Sequence, residues 1–135
     1  MVLVDTTVWV DLLREQRTPP TRQLRRLLDR NEAAIAPVIY QELLQGAASP
    51  EKLAKLRDYF GELPSLVPAN SMATHQAAAE LYARCRWRGI TPRSPHDCLI
   101  AQSAIEHGVR LLHDDRDFEA IAQVEPRLKL YSPKG

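Results

Sequence analysis

Short apolar runs alternate with helical patterns along almost the whole chain, and this alternation limits the possible folds more than any other feature. Residues 2–4, Val-Leu-Val, form an unbroken apolar run too short for a helix, the pattern of a strand buried on both faces. Helix is predicted for 6–13. A polar turn at 17–20 then leads into a second helix, with Leu24, Leu27 and Leu28 at i, i+3 and i+4. Residues 33–36 read as a weak strand, and Pro37 opens a helix that reaches Gly46. Ser49-Pro50 begins another, carrying Leu53, Leu56 and Tyr59 or Phe60. The series continues with a strand at 65–67, a long alanine-rich helix at 71–87, a break at 89–92 and a helix from Ser94-Pro95 to His107, ended by Gly108. A strand at 109–112, a short helix at 117–122 and a strand at 128–131 complete it. Strands separated by helices predict a parallel sheet covered on both faces. In such sheets ligands bind beyond the carboxyl ends of the strands. One α/β domain spanning 1–135 is expected, because 135 residues is an ordinary single-domain length. A chain of that size buries roughly two-thirds of its unfolded surface and needs no disulfide or structural metal to fold.

Several function classes are excluded at this level. No apolar run approaches the roughly 18 residues of a membrane span, and the amino terminus is strand-like with an acid at position 5, unlike a signal peptide. Cys85 and Cys98 stand in no metal-binding or redox spacing and are expected to be packing residues. The cytoplasm is the expected compartment, with no membrane partner. A net charge of +1 gives no whole-molecule positive field for nucleic acid. Of 18 basic residues only Lys52, Lys55, Lys129 and Lys134 are lysine, which leaves 14 arginines. Arginine forks suit phosphate, although a GC-rich genome accounts for the bias equally well. Arg84, Arg86, Arg88 and Arg93 around Trp87 form a basic stretch with one aromatic. Such a stretch either tracks phosphates and stacks a base or is a solvated helix end with a packed Trp. Trp9 is expected in the core or at an interface.

Four acids stand where the pattern calls for other residues. Asp5 ends the first strand, at the end where ligands bind, and equally fits a cap for the helix at 6–13. At about 100° per residue, Glu42 falls between Val38 and Ile39 with Gly46 one turn on. A carboxylate within such a stripe is partly removed from water and needs a partner, unless the helix tilts to expose it. Asp97 heads the buried face formed by Ile100, Ala101, Ala104 and Ile105. It also completes the capping box Ser94-Pro95-His96-Asp97, and the two roles are compatible. Asp114, Asp115 and Asp117 follow the 109–112 strand, either as a solvated loop or as favoured charge at a helix start. If the acids converge, each pair about 4 Å apart repels by roughly 4 kcal/mol at an effective dielectric near 20. Such a nest must be protonated or hold a cation. An all-oxygen site favours Mg²⁺ or Mn²⁺ over zinc. A cation there can activate water, orient a phosphate and stabilise the leaving oxygen.

VDTTVWVDLL at 4–13, ELLQG at 42–46, DCLIAQSA at 97–104 and LLHDDRDF at 111–118 together resemble the PIN-domain family, and in particular the VapC toxins of bacterial toxin–antitoxin pairs. Each motif alone is weak, but four in order over almost the whole chain are specific. The resemblance implies a Rossmann-like parallel sheet, an Mg²⁺ or Mn²⁺ site and endoribonuclease activity leaving a 5′-phosphate and a 3′-hydroxyl. It assigns metal binding and catalysis to Asp5, Glu42, Asp97 and Asp115, with Asp117 as a frequent fifth acid and Thr6 or Thr7 as the supporting hydroxyl. It also implies a homodimer, an RNA substrate and a cognate antitoxin whose tail lies in a groove beside the site, often with a basic residue reaching the acids. One departure stands out. The family usually has Thr or Ser where this chain has His113, which either holds a metal-bound water, binds metal itself or is an exposed substitute, the last being favoured here. His75, His96 and His107 read as helix-surface or capping residues.

Two other classes compete. A catalytically silent RNA- or partner-binding module on the same fold would have little reason to keep repelling carboxylates. A receiver-like phosphotransfer domain gathers acids at strand ends but uses a later Lys, and this chain has none between Lys55 and Lys129.

Overall fold

The computed structural model describes residues 1–131. Its centre is a three-stranded parallel sheet of β1 (Val2–Val4), β2 (Ala33–Ala34) and β3 (Arg110–Leu112) in the order β2-β1-β3. Leu3 is opposite Ala34 on one side and Leu111 on the other. Placing β1 in the middle explains its unbroken apolar run, since all three of its residues are buried. The expected strands at 65–67 and 128–131 are reduced to single parallel bridges, Ile35 to Ser65 and Leu111 to Leu130. At the first, Ile35 donates to the Pro64 carbonyl and Leu66 to the Ile35 carbonyl. Pro64 and Pro68 on either side have no N–H to extend the ladder.

The helices are α1 (Thr6–Leu13), α2 (Pro19–Asp29), α3 (Pro37–Gln45), α4 (Pro50–Gly61), α5 (Ser71–Trp87), α6 (Pro95–Glu106) and α7 (Arg116–Val124). The turn expected at 17–20 is shorter than predicted. Thr18 caps α2 in a reciprocal capping box with Thr21, so Pro19 and Pro20 occupy the first turn, where a missing N–H costs nothing. Prolines open α3, α4 and α6 in the same way. Gly89 and Gly108 follow the carboxyl ends of α5 and α6 with φ of +77° and +63°, a conformation that disfavours side chains.

One continuous apolar cluster joins sheet and helices. Trp9 lies wholly inside it, edge-on to Phe60 at 5.1 Å, with its indole N–H donating to the Val4 carbonyl at 3.1 Å. Trp9 is therefore core and not interface, and it ties α1 to the end of β1 just before Asp5. Cys85 and Cys98 are buried free thiols, as expected.

Candidate metal centre

Three chain reversals bring the acids to one end of the sheet. Asp5 follows β1 and caps α1, with Oδ2 accepting from the Thr7 hydroxyl at 2.7 Å and more weakly from the Thr7 N–H at 3.4 Å. Its own N–H donates to the Leu112 carbonyl, which locks the ends of β1 and β3 together. Asp115 follows β3 and caps α7, with Oδ1 accepting from the Asp117 N–H at 2.9 Å. Asp97 stands in the first turn of α6. Asp5 and Asp115 thus both cap helices at the end of the sheet where the acids gather. A cap must sit at a helix amino terminus, and in this topology the amino termini of α1 and α7 adjoin the carboxyl ends of β1 and β3. The positive ends of those helix dipoles favour the collected negative charge.

At Asp97 the capping box is incomplete. Ser94 caps α6 by accepting from the His96 N–H, the Asp97 N–H donates to the Ser94 carbonyl at 3.1 Å, and among the described residues the Asp97 carboxylate accepts no bond from the Ser94 N–H. Its carboxylate belongs instead to a group in which Asp97, Asp115 and Asp117 each offer an oxygen within 4.8 Å of the others. The Asp97 carboxyl is pushed up to about 7, first by burial and then by the negative charges of Asp5, Asp115, Asp117 and Glu42. Four other acids therefore act on Asp97. Asp5, only 3% exposed, is also pushed up, chiefly by burial, against the lowering effect of its Thr7 and backbone hydrogen bonds. Asp114 is exposed and outside the group.

Glu42, on α3, reaches the site through Thr6. The Thr6 hydroxyl donates to Glu42 Oε1 at 2.7 Å, while Oε2 lies 3.4 Å from His96 Nδ1. The two threonines thus divide the support, Thr6 for Glu42 and Thr7 for Asp5. His96, read from sequence as a surface or capping residue, faces a site acid. Its position two residues after Ser94 carried no signal of that contact, since Glu42 is 54 residues away. His113 is also more than an exposed substitute. It is half-buried against Phe118, and its Nδ1 accepts from the Asp115 N–H at 3.2 Å, so it shapes the loop that carries Asp115.

The four arginines of the basic stretch separate. Arg84 pairs with buried Glu125 at 3.0 Å, binding α5 to the end of α7. Arg86 and Arg88 are exposed beside Trp87, which is 79% exposed. Arg93 lies on the acids themselves, with Nη2 2.9 Å from Asp115 Oδ1 and Nε 3.3 Å from Asp117 Oδ2.

An oxygen-only donor set fits a small hard cation. Metal–oxygen distances near 2.0–2.1 Å put adjacent octahedral ligands about 3 Å apart and opposite ones about 4 Å apart, and three oxygens within 4.8 Å of one another are close enough to turn toward one such ion. Beside the acids runs a groove of about 440 Å³, lined by Val38, Leu66, Val67, His75, His96 and Leu99 among others. His96 borders both groove and site. No helix among the described residues is long and apolar enough to cross a membrane.

Residues 2–124 match the PIN domain family model. A VapC ribonuclease of Mycobacterium bovis is 39% identical over 126 residues, covering 92% of this chain and 93% of that protein. Ribonuclease VapC11 of Mycobacterium tuberculosis matches to the same extent. Among solved structures, VapBC2 of Rickettsia felis bound to a promoter DNA fragment aligns with a TM-score of 0.73 at 23% identity, covering 97% of this chain and 98% of that one. A toxin–antitoxin complex of Klebsiella pneumoniae aligns with a TM-score of 0.65 at 20% identity, covering 98% of each chain. At these identities the structural likeness speaks for the fold.

Proposed function

The chain belongs to the PIN-domain family, and on that premise we propose that it is a metal-dependent endoribonuclease, the toxin of a VapBC-type toxin–antitoxin pair. The observation that carries this reading is the convergence of Asp97, Asp115 and Asp117 within 4.8 Å, with Asp5 and Glu42 close enough to raise the Asp97 carboxyl. A binding module gains nothing from such repulsion, whereas a nuclease needs it to hold a cation.

Asp5, Glu42, Asp97 and Asp115 would hold Mg²⁺ or Mn²⁺ directly or through water, with Asp117 as a further ligand. Bound there, the cation would lower the pKa of an attacking water and stabilise charge on the scissile phosphate. Thr7 fixes the Asp5 carboxylate, and Thr6 fixes Glu42 through Oε1. Glu42 Oε2 is turned toward His96 Nδ1 at 3.4 Å. Arg86 and Arg88 grip RNA phosphates while Trp87 offers a stacking face; Arg84, held by Glu125, contributes less. Curated relatives that carry the name VapC ribonuclease support the activity, and the VapBC complexes among the structural neighbours support an antitoxin partner. An antitoxin segment fits the groove beside His96. A homodimer is proposed on family membership, with no surface contributed by buried Trp9. The whole chain, 1–135, acts as one domain in the cytoplasm.

The test uses protein purified away from any partner. It should cut a structured RNA with Mg²⁺ or Mn²⁺ and stop in EDTA. Asp5→Ala should stay folded and lose about 100-fold or more in rate, a loss of about 3 kcal/mol of transition-state stabilisation. Equal cutting in EDTA, or full activity in Asp5→Ala, would falsify the assignment.

A further inference from the structure

Arg93 makes three bonds to two acids. Its guanidinium donates through Nη2 to Asp115 Oδ1 and through Nε to Asp117 Oδ2, and its backbone N–H donates to the same Asp117 oxygen at 3.0 Å. Those acids are two of the three whose oxygens gather within 4.8 Å. A positive side chain of the chain itself therefore holds carboxylates that a divalent cation would also need. We propose that Arg93 is a built-in counter-cation, docked on Asp115 and Asp117 in the metal-free protein and displaced from them when a divalent metal binds.

Two features suit it to exchange. The Arg93 side chain is 78% exposed, so its ion pairs lie in high dielectric and are worth little individually. A doubly charged ion in direct contact with both carboxylates can therefore outcompete it. The backbone bond from Arg93 to Asp117 does not depend on the guanidinium, so Asp117 stays in position when the side chain leaves. The single positive charge of the docked guanidinium, shared between Asp115 and Asp117, offsets part of the negative charge gathered around Asp97. The metal affinity of the site is then set by a competition internal to the chain and is lower than the acid set alone would give. This inference rests on the proposed metal site.

The experiment compares Mn²⁺ affinity by calorimetry in wild type, Arg93→Ala and Arg116→Ala, using the whole partner-free chain. Arg116 is an exposed arginine in the same acidic segment, so its removal controls for the loss of one positive charge. Arg93→Ala should bind Mn²⁺ about three- to tenfold more tightly, and Arg116→Ala should change affinity by less than about twofold. In nitrogen-15 spectra of the wild type, the Arg93 Nε–H should be protected from exchange without metal and lose that protection at saturating Mg²⁺. Arg93→Lys identifies the signal by its disappearance. Unchanged or weaker Mn²⁺ binding by Arg93→Ala overturns the proposal, as does an equal gain in Arg116→Ala or an Nε–H that stays protected under Mg²⁺. If the wild type itself takes up no Mn²⁺ at millimolar concentration, the metal site fails and this proposal fails with it. Wild-type binding without the Arg93 effect removes the counter-cation alone.

Discussion

The hydroxyl of Thr6 donates to Glu42 Oε1 at 2.7 Å, so the residue directly after Asp5 positions an acid from another helix. Hydrogen bonds to a charged group are worth about 1.5–3 kcal/mol, and about 1.4 kcal/mol is tenfold in rate. Thr6→Val should therefore keep the fold and cut RNA about tenfold or more slowly, while Thr6→Ser stays within about threefold of wild type. Equal rates for Val and Ser would show that Glu42 needs no such anchor.

Asp97 makes the stability of the metal-free protein depend on pH. Its carboxyl is raised from the ordinary 3.8 to about 7 in the fold, so the native state binds a proton that the unfolded state has released. The sign follows from that difference: stability contributed by this group falls as pH rises from about 4 to about 7, and the full cost is present above 7. At about 1.4 kcal/mol per pH unit the ceiling is about 4 kcal/mol, reduced by the partial solvent access of the site. Asp97→Asn should be more stable than wild type at pH 8 in EDTA, and the gain should vanish near pH 4. Denaturant melts at both pH values measure this.

Metal acts in the opposite direction. At about ten times its dissociation constant, a cation bound only to the folded state adds roughly 1.4 kcal/mol, or about 3–6 °C for a domain of this size. Wild type should show that Mg²⁺ or Mn²⁺ shift in a thermal melt, and Asp97→Asn should show much less at the same concentration. A destabilised Asn variant that kept the whole shift would reduce Asp97 to a helix-capping residue.

Glu125 titrates in the opposite sense. Hydrogen bonds from Arg127 and Arg84 hold its carboxyl down at about 2, below the ordinary 4.5. Its contribution is present above pH 4.5 and lost as pH falls through about 2. Glu125→Gln should cost about 1–3 kcal/mol at pH 7, with the gap to wild type closing toward pH 2. Rates of RNA cleavage per folded molecule should be unchanged, since the pair lies outside the acid cluster.

The two thiols should be silent. Burial raises both, and Cys98 is pushed up to about 12. A thiol needs its thiolate to react, so neither should react with a thiol-specific reagent in the native protein, and both should react in denaturant. Stoichiometric labelling of the folded chain would contradict their place in the core.

Much of this was legible in consecutive residues. The apolar run of β1, the three leucines of α2 and the alanine-rich α5 announce themselves because burial repeats with the period of the element. The caps at Asp5 and Ser94 do so because a helix start is a local event. The order of strands and helices then implies that acids following strands share one end of the sheet. The contacts that give each acid its character join distant residues: Thr6 to Glu42 across 36 positions, His96 to Glu42 across 54, and Arg93 to Asp115 across 22. No periodicity encodes these contacts, because they depend on which helix amino termini pack side by side once β1 lies between β2 and β3. The same holds for Arg84, a phosphate candidate in sequence and a partner of Glu125 in the fold. It holds also for the outer strands, which shrink to single bridges, the first of them set between Pro64 and Pro68. The helices, the central strands and the acids could be read from the chain alone, since they are written in local pattern. Tertiary packing decided which acids are paired, which are raised and which cation sits on them, because desolvation and Coulomb forces act through space rather than along the chain.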